Sequence, residues 1–388
     1  MFKLRAELDR SLAALLLLAL FSSVGNGIIN VVLQPYLKHL GLNSQEVGIL
    51  QSISAIATAL SLVPSAYLAD LYGRKKIAIA SLALSLPGFL LIVFTDKFHP
   101  LAVGFAFLGT GNALTAVTLN PLLADITPRD KLDTVASAFQ ILSLAGGSAG
   151  MLLTWTPQLL GSSIDSLLHA YRLLMIAGGA VTTSGFALLL LVRDPATTRQ
   201  GLKLTFSRDS LVLAALQAAT AIGAGASVWL INYYFAAKFG VEAGELGTRM
   251  LAESLILIPA TSAAPIISSK LGTLKSLLLL QLASIPFLAS TPLAPNFPAA
   301  ASLFTLRSIL MNASNPLLWA LTMRIIPEDE RSRYTMLNIL ASQLGGGAGS
   351  AIGGYLMSTN LDLPLYFTTT VYLLVSITLY HYLKPKTT

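Results

Sequence analysis

Long runs with few or no charged residues recur along this chain, and they limit its possible folds more than any other feature. Six lie in the first half, at residues 11–34, 47–69, 77–95, 102–124, 134–155 and 173–192. Six more follow, at residues 211–236, 246–268, 276–293, 298–323, 334–357 and 363–383. A helix of about 20 residues crosses the ~30 Å hydrocarbon core of a bilayer, and no run alternates as a barrel strand does. The runs predict an all-α integral membrane protein with twelve transmembrane helices.

The composition agrees with a membrane protein. Hydrophobic residues make up 54% of the chain and charged residues 11%, whereas soluble proteins carry roughly 25% charged residues. The chain has no cysteine, so disulfides and thiolate chemistry are excluded. Although the net charge is +7, the basic residues form short clusters between apolar runs, so we expect no nucleic-acid partner.

The distribution of the basic residues predicts the orientation. Of the 25 Lys and Arg residues, 19 lie at the ends of runs that share a side with the N-terminus, and five lie at the opposite ends. Cytoplasmic segments of membrane proteins are enriched in Lys and Arg. We therefore expect a multi-pass protein of the cell membrane with both termini in the cytoplasm.

The two halves of the chain resemble each other at a constant offset of 199 residues. The matched pairs include Ser11 and Ser210, Gly41 and Gly240, Gly73 and Gly272, Gly146 and Gly345, and Gly150 and Gly349. This register predicts an N-terminal six-helix bundle at residues 1–192, a central cytoplasmic loop at 193–209 and a C-terminal six-helix bundle at 210–388.

The segment AYLADLYGRKK at residues 66–76 resembles the signature G-x-L-A-D-R-x-G-R-K-x of the major facilitator superfamily. Alanine replaces the first glycine and leucine the usual arginine. With the twelve runs and the parallel repeat, the resemblance covers the whole chain. It implies an inner gate in which Asp70 neutralises a helix N-terminus of the opposite bundle and Arg74, following Gly73, pairs with Asp125. The alternative is that the basic residues of 74–76 only mark the cytoplasmic side.

Polar side chains inside the apolar runs are candidates for substrate binding, since they are costly in a membrane. Asn26, Asn30 and Gln34 recur every four residues, so they form one stripe on the first span. The other candidates in this set are Asn112, Gln140, Trp229, Asn232, Tyr233 and Asn312. Hydrogen bonds between helices are the alternative role for each amide.

Glu253 and Arg307 are ionisable and lie at similar depths, on the outer side of their span centres. We predict that they pair, and that the pair binds a charged group of the substrate or changes protonation during transport. The alternatives are a static ion pair, or pairing of Glu253 with Arg249 one helical turn away.

The glycine-rich segments 146–150 and 345–349 are expected to permit close helix packing. Because the fifth and eleventh spans of this family contact the opposite bundle, the resemblance implies that these segments are the surfaces on which the bundles rock.

The resemblance implies a secondary active transporter that moves a small organic solute by alternating access. Protons are a candidate coupling ion, and we expect a monomer in the lipid bilayer, no cofactor, no metal site and no enzymatic activity. A drug/proton antiporter is disfavoured because Phe105 stands where its pattern R-x-x-x-G-x-G-x-A has arginine. A membrane-embedded enzyme or lipid-handling protein is disfavoured because no catalytic cluster is evident.

Overall fold

A computed structural model describes residues 2–128, 131–160, 164–193 and 205–387 of the chain. The side chains of residues 2–9, 160, 164–166 and 387 are not part of that description. Residues 194–204, which make up most of the predicted central loop, lie outside the described residues.

Helices account for almost all of the described chain, and no strand occurs in these residues. The helices of the first half are α1 (Phe2–His39), α2 (Ser44–Tyr72), α3 (Arg74–Phe94), α4 (Phe98–Ile126), α5 (Leu132–Leu153), α6 (Thr156–Leu160) and α7 (Ile164–Ala187). Those of the second half are α8 (Arg208–Gly223), α9 (Ile231–Phe239), α10 (Ala243–Leu271), α11 (Thr273–Ser290), α12 (Phe297–Ala313), α13 (Asn315–Ile325), α14 (Arg331–Thr359) and α15 (Leu363–Thr387).

Ten helical segments of the described chain are long and apolar enough to cross a membrane. The two remaining predicted spans are helical as well. One is divided at Ser314 into α12 and α13, with Pro316 in the first turn of α13, where its missing N–H costs no helical hydrogen bond. The other is α14, whose many Gly and Ser residues lower its hydropathy. The prediction of an all-α membrane fold with twelve spans is confirmed.

The chain forms two compact units. Unit 1 comprises Met1–Leu42, Ile53–Gly201 and Glu242–Thr248, and unit 2 comprises Asn43–Ser52, Leu202–Val241 and Arg249–Thr388. In unit 1 a core of buried aliphatic residues joins α1, α3, α4 and α7, among them Leu15, Leu18 and Leu122. In unit 2 a similar core joins α8, α11, α13 and α15, among them Leu213, Leu277 and Leu379.

The backbone supports the repeat at two kinds of turn. Every positive φ angle in the described chain belongs to a glycine, at Gly41 (87°), Gly73 (97°), Gly240 (66°) and Gly272 (82°). These glycines form two pairs separated by 199 residues. Residues with a Cβ rarely adopt this conformation, so each turn requires glycine in both halves.

The glycine-rich segments of α5 and α14 pack against the first helix of their own unit. A Cβ added to Gly146 would lie 2.4 Å from the carbonyl oxygen of Leu20 in α1, and one added to Gly345 would lie 2.3 Å from that of Ala218 in α8. The prediction of close helix packing is confirmed. The role of these glycines as rocking surfaces stays a prediction.

A π-helical turn at Ala224–Val228 continues α8, with Trp229 N donating to Ala224 O at 3.0 Å. Before this turn the two halves match at a different offset. The packing partners Leu20 and Ala218 are 198 residues apart, as are Val24 and Ile222, which face Gly150 and Gly349. The turn therefore accommodates one extra residue in the second half. The match of Ser11 with Ser210, at an offset of 199 residues, does not hold in the packing of α8.

Candidate functional site

Two buried arginines form the centre of a polar cluster in unit 2. Arg249 lies in the second turn of α10 and is 7% exposed, and Arg307 lies near the middle of α12 and is 3% exposed. Both guanidinium groups lie over the ring of Phe304, at 5.4 and 5.5 Å from its centroid. Cation–π contact of this kind offsets part of the cost of burying a charge.

Arg249 is neutralised within its own helix. Its Nη1 donates to Glu253 Oε2 at 2.7 Å, and the two residues are one turn apart. Its Nη2 lies 3.5 Å from Asn232 Oδ1 in α9. Arg249 therefore links Asn232 and Glu253. Arg249 was predicted only as the alternative partner of Glu253.

Arg307 has a different partner from the predicted one. Its Nη2 donates to the hydroxyl of Tyr372 in α15 at 2.7 Å, and its guanidinium lies 5.1 Å from the ring centroid of the same residue. The prediction that Glu253 pairs with Arg307 is wrong, because the carboxylate can reach Arg249 along the surface of one helix.

A cavity of about 370 Å³ opens beside this cluster in unit 2. Tyr372 forms part of its wall and also contacts Arg307, so one side chain connects the cavity with the cluster. Polar groups line the cavity between aliphatic ones, namely Gln217, Thr220, Gln281, Asn315, Thr322, Tyr334, Thr335, Asn338 and Ser376. Their amides and hydroxyls can donate and accept hydrogen bonds, which suits a polar organic molecule.

Other predicted residues of unit 2 lie in packed positions. Tyr233 is buried, and the ring of Trp229 covers Gly346, where an added Cβ would lie 2.0 Å from the ring. Asn312 accepts a hydrogen bond of 3.3 Å from Asn315, which lines the cavity.

The candidates in unit 1 are mostly at its surface. Asn26, Asn30, Asn112 and Gln140 are exposed, whereas Gln34 is buried. The predicted stripe on α1 therefore passes from an exposed position to a packed one within two turns.

The predicted ion pair of the signature segment is present. Arg74 Nη1 donates to Asp125 Oδ2 at 2.5 Å and to the carbonyl of Pro121 at 3.3 Å, and both charged side chains are about one third exposed. Asp70 is partly buried and has no hydrogen-bond partner among the described residues. The gating role of these residues stays a prediction.

A second charged cluster, which the sequence did not indicate, lies in unit 1 at the start of α10. Glu242 Oε2 accepts hydrogen bonds from Tyr171 at 2.7 Å and contacts His39 Nε2 at 3.0 Å. Burial acts to raise the pKa of Glu242, but the hydrogen bonds from His39 and Tyr171 outweigh it, so the pKa lies below its usual value. Each partner comes from a different helix, so no spacing along the chain could have revealed the cluster.

Comparison with known proteins gives a family match over most of the chain. The sequence model of the Major Facilitator Superfamily matches residues 15–350. A D-xylose transporter of Levilactobacillus brevis is 28% identical over 123 residues. That match spans 31% of this chain and 26% of the relative's length, about a quarter of it.

Solved structures share the fold over nearly the full length. A bacterial homologue of the human lysosomal transporter Spinster, in an inward-facing and occupied conformation, has a TM-score of 0.76 and 17% identity, with 97% of this chain and 96% of that chain covered. The nucleoside transporter NupG has a TM-score of 0.76, 12% identity and coverage of 95% and 97%. A D-xylose–proton symporter has a TM-score of 0.72, 12% identity and coverage of 95% and 97%.

Proposed function

This chain belongs to the Major Facilitator Superfamily, and from that premise we propose that it is a secondary active transporter that moves a small organic solute by alternating access. The observation that carries the proposal is the cavity of about 370 Å³ in unit 2, whose walls combine apolar side chains with amides and hydroxyls. Small-molecule sites have this composition, and polar groups inside a membrane-spanning bundle are costly, so they are retained where they bind a ligand. The fold similarity to transporters of sugars and nucleosides supports this proposal.

Glu253 is the residue that we propose for proton coupling. Its carboxylate is 20% exposed and is held by the buried Arg249. Protonation of Glu253 would leave the Arg249 charge without its partner, so proton binding and the arrangement of the cluster are linked. Loss of that ion pair would change the energy of one conformational state relative to another.

We also propose the assembly, the orientation and the inner gate of the protein. The protein is a monomer of the cell membrane with both termini in the cytoplasm, and the bundles correspond to residues 1–192 and 210–388. Asp70, Gly73, Arg74 and Asp125 act at the inner gate. The bias of Lys and Arg residues supports the orientation, and the Arg74–Asp125 ion pair supports an ordered inner segment.

Uptake by proteoliposomes tests the function. The purified protein is reconstituted and supplied with sugars, nucleosides, carboxylates, amino acids and cationic drugs, with and without a pH gradient. We expect saturable uptake of one chemical class, and exchange of labelled for unlabelled solute without any gradient. If no compound class exchanges faster than in empty liposomes, the proposal is wrong.

Glu253→Gln tests the coupling. This variant keeps a hydrogen-bond acceptor for Arg249 but cannot change protonation, so gradient-free exchange should persist while stimulation by a pH gradient disappears. Glu253→Asp is a matched control, because it alters the same position and keeps a carboxylate that can change protonation. A Glu253→Gln variant that a pH gradient still stimulates like the wild type would exclude Glu253 as the coupling residue.

A further inference from the structure

The charges of the buried cluster in unit 2 do not balance. Two guanidinium groups, those of Arg249 and Arg307, share the ring of Phe304, and Glu253 is the one carboxylate that bonds to either of them within the described chain. Arg249 and Glu253 neutralise each other. Arg307 donates to a neutral phenol, so one positive charge stays uncompensated in the interior of a membrane protein.

Both arginines also keep an unused donor. The Nε atoms of Arg249 and Arg307 are buried and have no hydrogen-bond partner in the part of the chain that the structure describes. A buried N–H group without an acceptor is expensive, and native proteins rarely leave one unpaired without a reason. Such a group in a charged side chain indicates that an acceptor binds there in another state of the protein.

The free donor of Arg307 lies on the edge of the guanidinium that recognises oxyanions. Nε and Nη2 together present two parallel N–H groups, the geometry that a carboxylate or phosphate accepts as a pair of hydrogen bonds. Nη2 donates to Tyr372, and Nε has no acceptor among the residues that the structure describes. Since Tyr372 also forms part of the cavity wall, rotation of one side chain would expose this edge to a ligand in the cavity.

We propose that the substrate is a small organic anion whose carboxylate or phosphate group binds Arg307 in place of the Tyr372 hydroxyl. Its polar body occupies the cavity, where the amides of Gln217, Gln281 and Asn338 bind its hydroxyl or carbonyl groups. This inference rests on the proposed transport function and specifies the class of solute.

Ligand-induced thermal stabilisation of the purified protein tests the inference. Unfolding is followed by intrinsic tryptophan fluorescence in detergent, with D-gluconate and D-glucose 6-phosphate as the anionic probes. D-glucose is the neutral counterpart, and sodium chloride matches the ionic strength. We expect one anionic probe to raise the unfolding temperature and D-glucose to leave it unchanged, and the two probes separate a carboxylate from a phosphate.

Substitutions locate the site. In Arg307→Gln the anion should no longer raise the unfolding temperature. In Arg307→Lys the apparent affinity for the anion should fall at least tenfold, because the planar pair of donors is lost. Tyr372→Phe removes the competing hydroxyl and should retain or strengthen anion binding.

Without ligand, Arg307→Gln should not lower the unfolding temperature, whereas Arg249→Gln should lower it, because it leaves Glu253 unpaired.

The outcome separates this inference from the function itself. Equal stabilisation by D-glucose, stabilisation that persists in Arg307→Gln, or no stabilisation by either anion would overturn the anion site. Uptake of neutral solutes by proteoliposomes in the same preparations would then leave transport intact. Anion binding that depends on Arg307, in a protein that exchanges no solute, would support the site and reject the transport function.

Discussion

At the scale of single residues, the hydrogen-bond partner of a side chain could be predicted when both residues lie on the same helix. It could not be predicted when they lie on different helices. Glu253 and Arg249 are four positions apart, so helical geometry brings their side chains together. Arg307 and Tyr372 are 65 positions apart and come from α12 and α15. Depth in the membrane, on which the prediction of a Glu253–Arg307 pair depended, says nothing about the direction in which a side chain points around its helix.

The two aspartates of the predicted inner gate, Asp70 and Asp125, should respond differently to substitution. Asp70→Asn removes a charge without a bonded partner among the described residues, so the free energy of unfolding should change by less than about 0.5 kcal/mol. If the residue acts at the gate, solute exchange should fall roughly fivefold or more. Wild-type exchange in Asp70→Asn would refute its gating role.

Asp125→Asn is the matched comparison. It breaks a partly exposed ion pair with Arg74, so we expect a loss of at most about 1 kcal/mol of stability. Thermal unfolding and proteoliposome exchange on both variants give the two quantities side by side.

At the scale of helices, adjacent glycines of α5 have opposite roles. A Cβ on Gly146 would lie 2.4 Å from the carbonyl of Leu20, whereas the nearest atom to a Cβ on Gly147 is 3.9 Å away. Gly146→Ala should therefore push α5 from α1 and cost about 1–3 kcal/mol. Gly147→Ala should be neutral or stabilising by up to about 1 kcal/mol, because alanine favours helix. Comparable unfolding temperatures for the two variants would contradict this packing.

The cluster at the start of α10 should make the stability of the protein depend on pH. Because the pKa of Glu242 is lowered in the folded protein, its carboxylate contributes fully to the free energy of unfolding at pH values above the pKa of the unfolded chain, about 4.3. That contribution is lost as the pH falls further, through the folded pKa. Unfolding temperatures from pH 6 down to about pH 3 should converge for the wild type and Glu242→Gln. A difference that stays constant over this range would show that the carboxylate charge does not matter.

At the scale of the whole molecule, the fold could be predicted and the site only in part. The apolar runs determine the number of spans because a membrane leaves few ways to satisfy the backbone. The amides around the cavity, such as Gln281 and Asn338, resemble any other polar residue in a span, since their convergence depends on how helices rotate and pack. Of the predicted residues, Asn232 and Glu253 meet through Arg249, which was predicted only as an alternative partner. Arg307 joins them through the ring of Phe304.

Orientation is testable on this cysteine-free chain. Asp96 and Lys270 are both exposed and lie at opposite ends of their spans, so Asp96→Cys and Lys270→Cys are suitable labelling sites. With cytoplasmic termini, a membrane-impermeant maleimide should modify Asp96→Cys in intact cells and Lys270→Cys only after permeabilisation. The reverse pattern would invert the topology.

The π-helical turn at Ala224–Val228 also makes the two halves of the chain unequal. Between the residues that pack on the glycines and the turn at Gly240, the second half holds one residue more than the first. The widened turn absorbed that residue, so α8 kept its contact with the glycines of α14 and the chain still reached Gly240 in register. Two identical copies would offer two identical half-sites. The extra residue precedes Trp229 and Asn232, and the matching positions of the first half hold Asn30 and Leu33, so the two halves present different chemistry there.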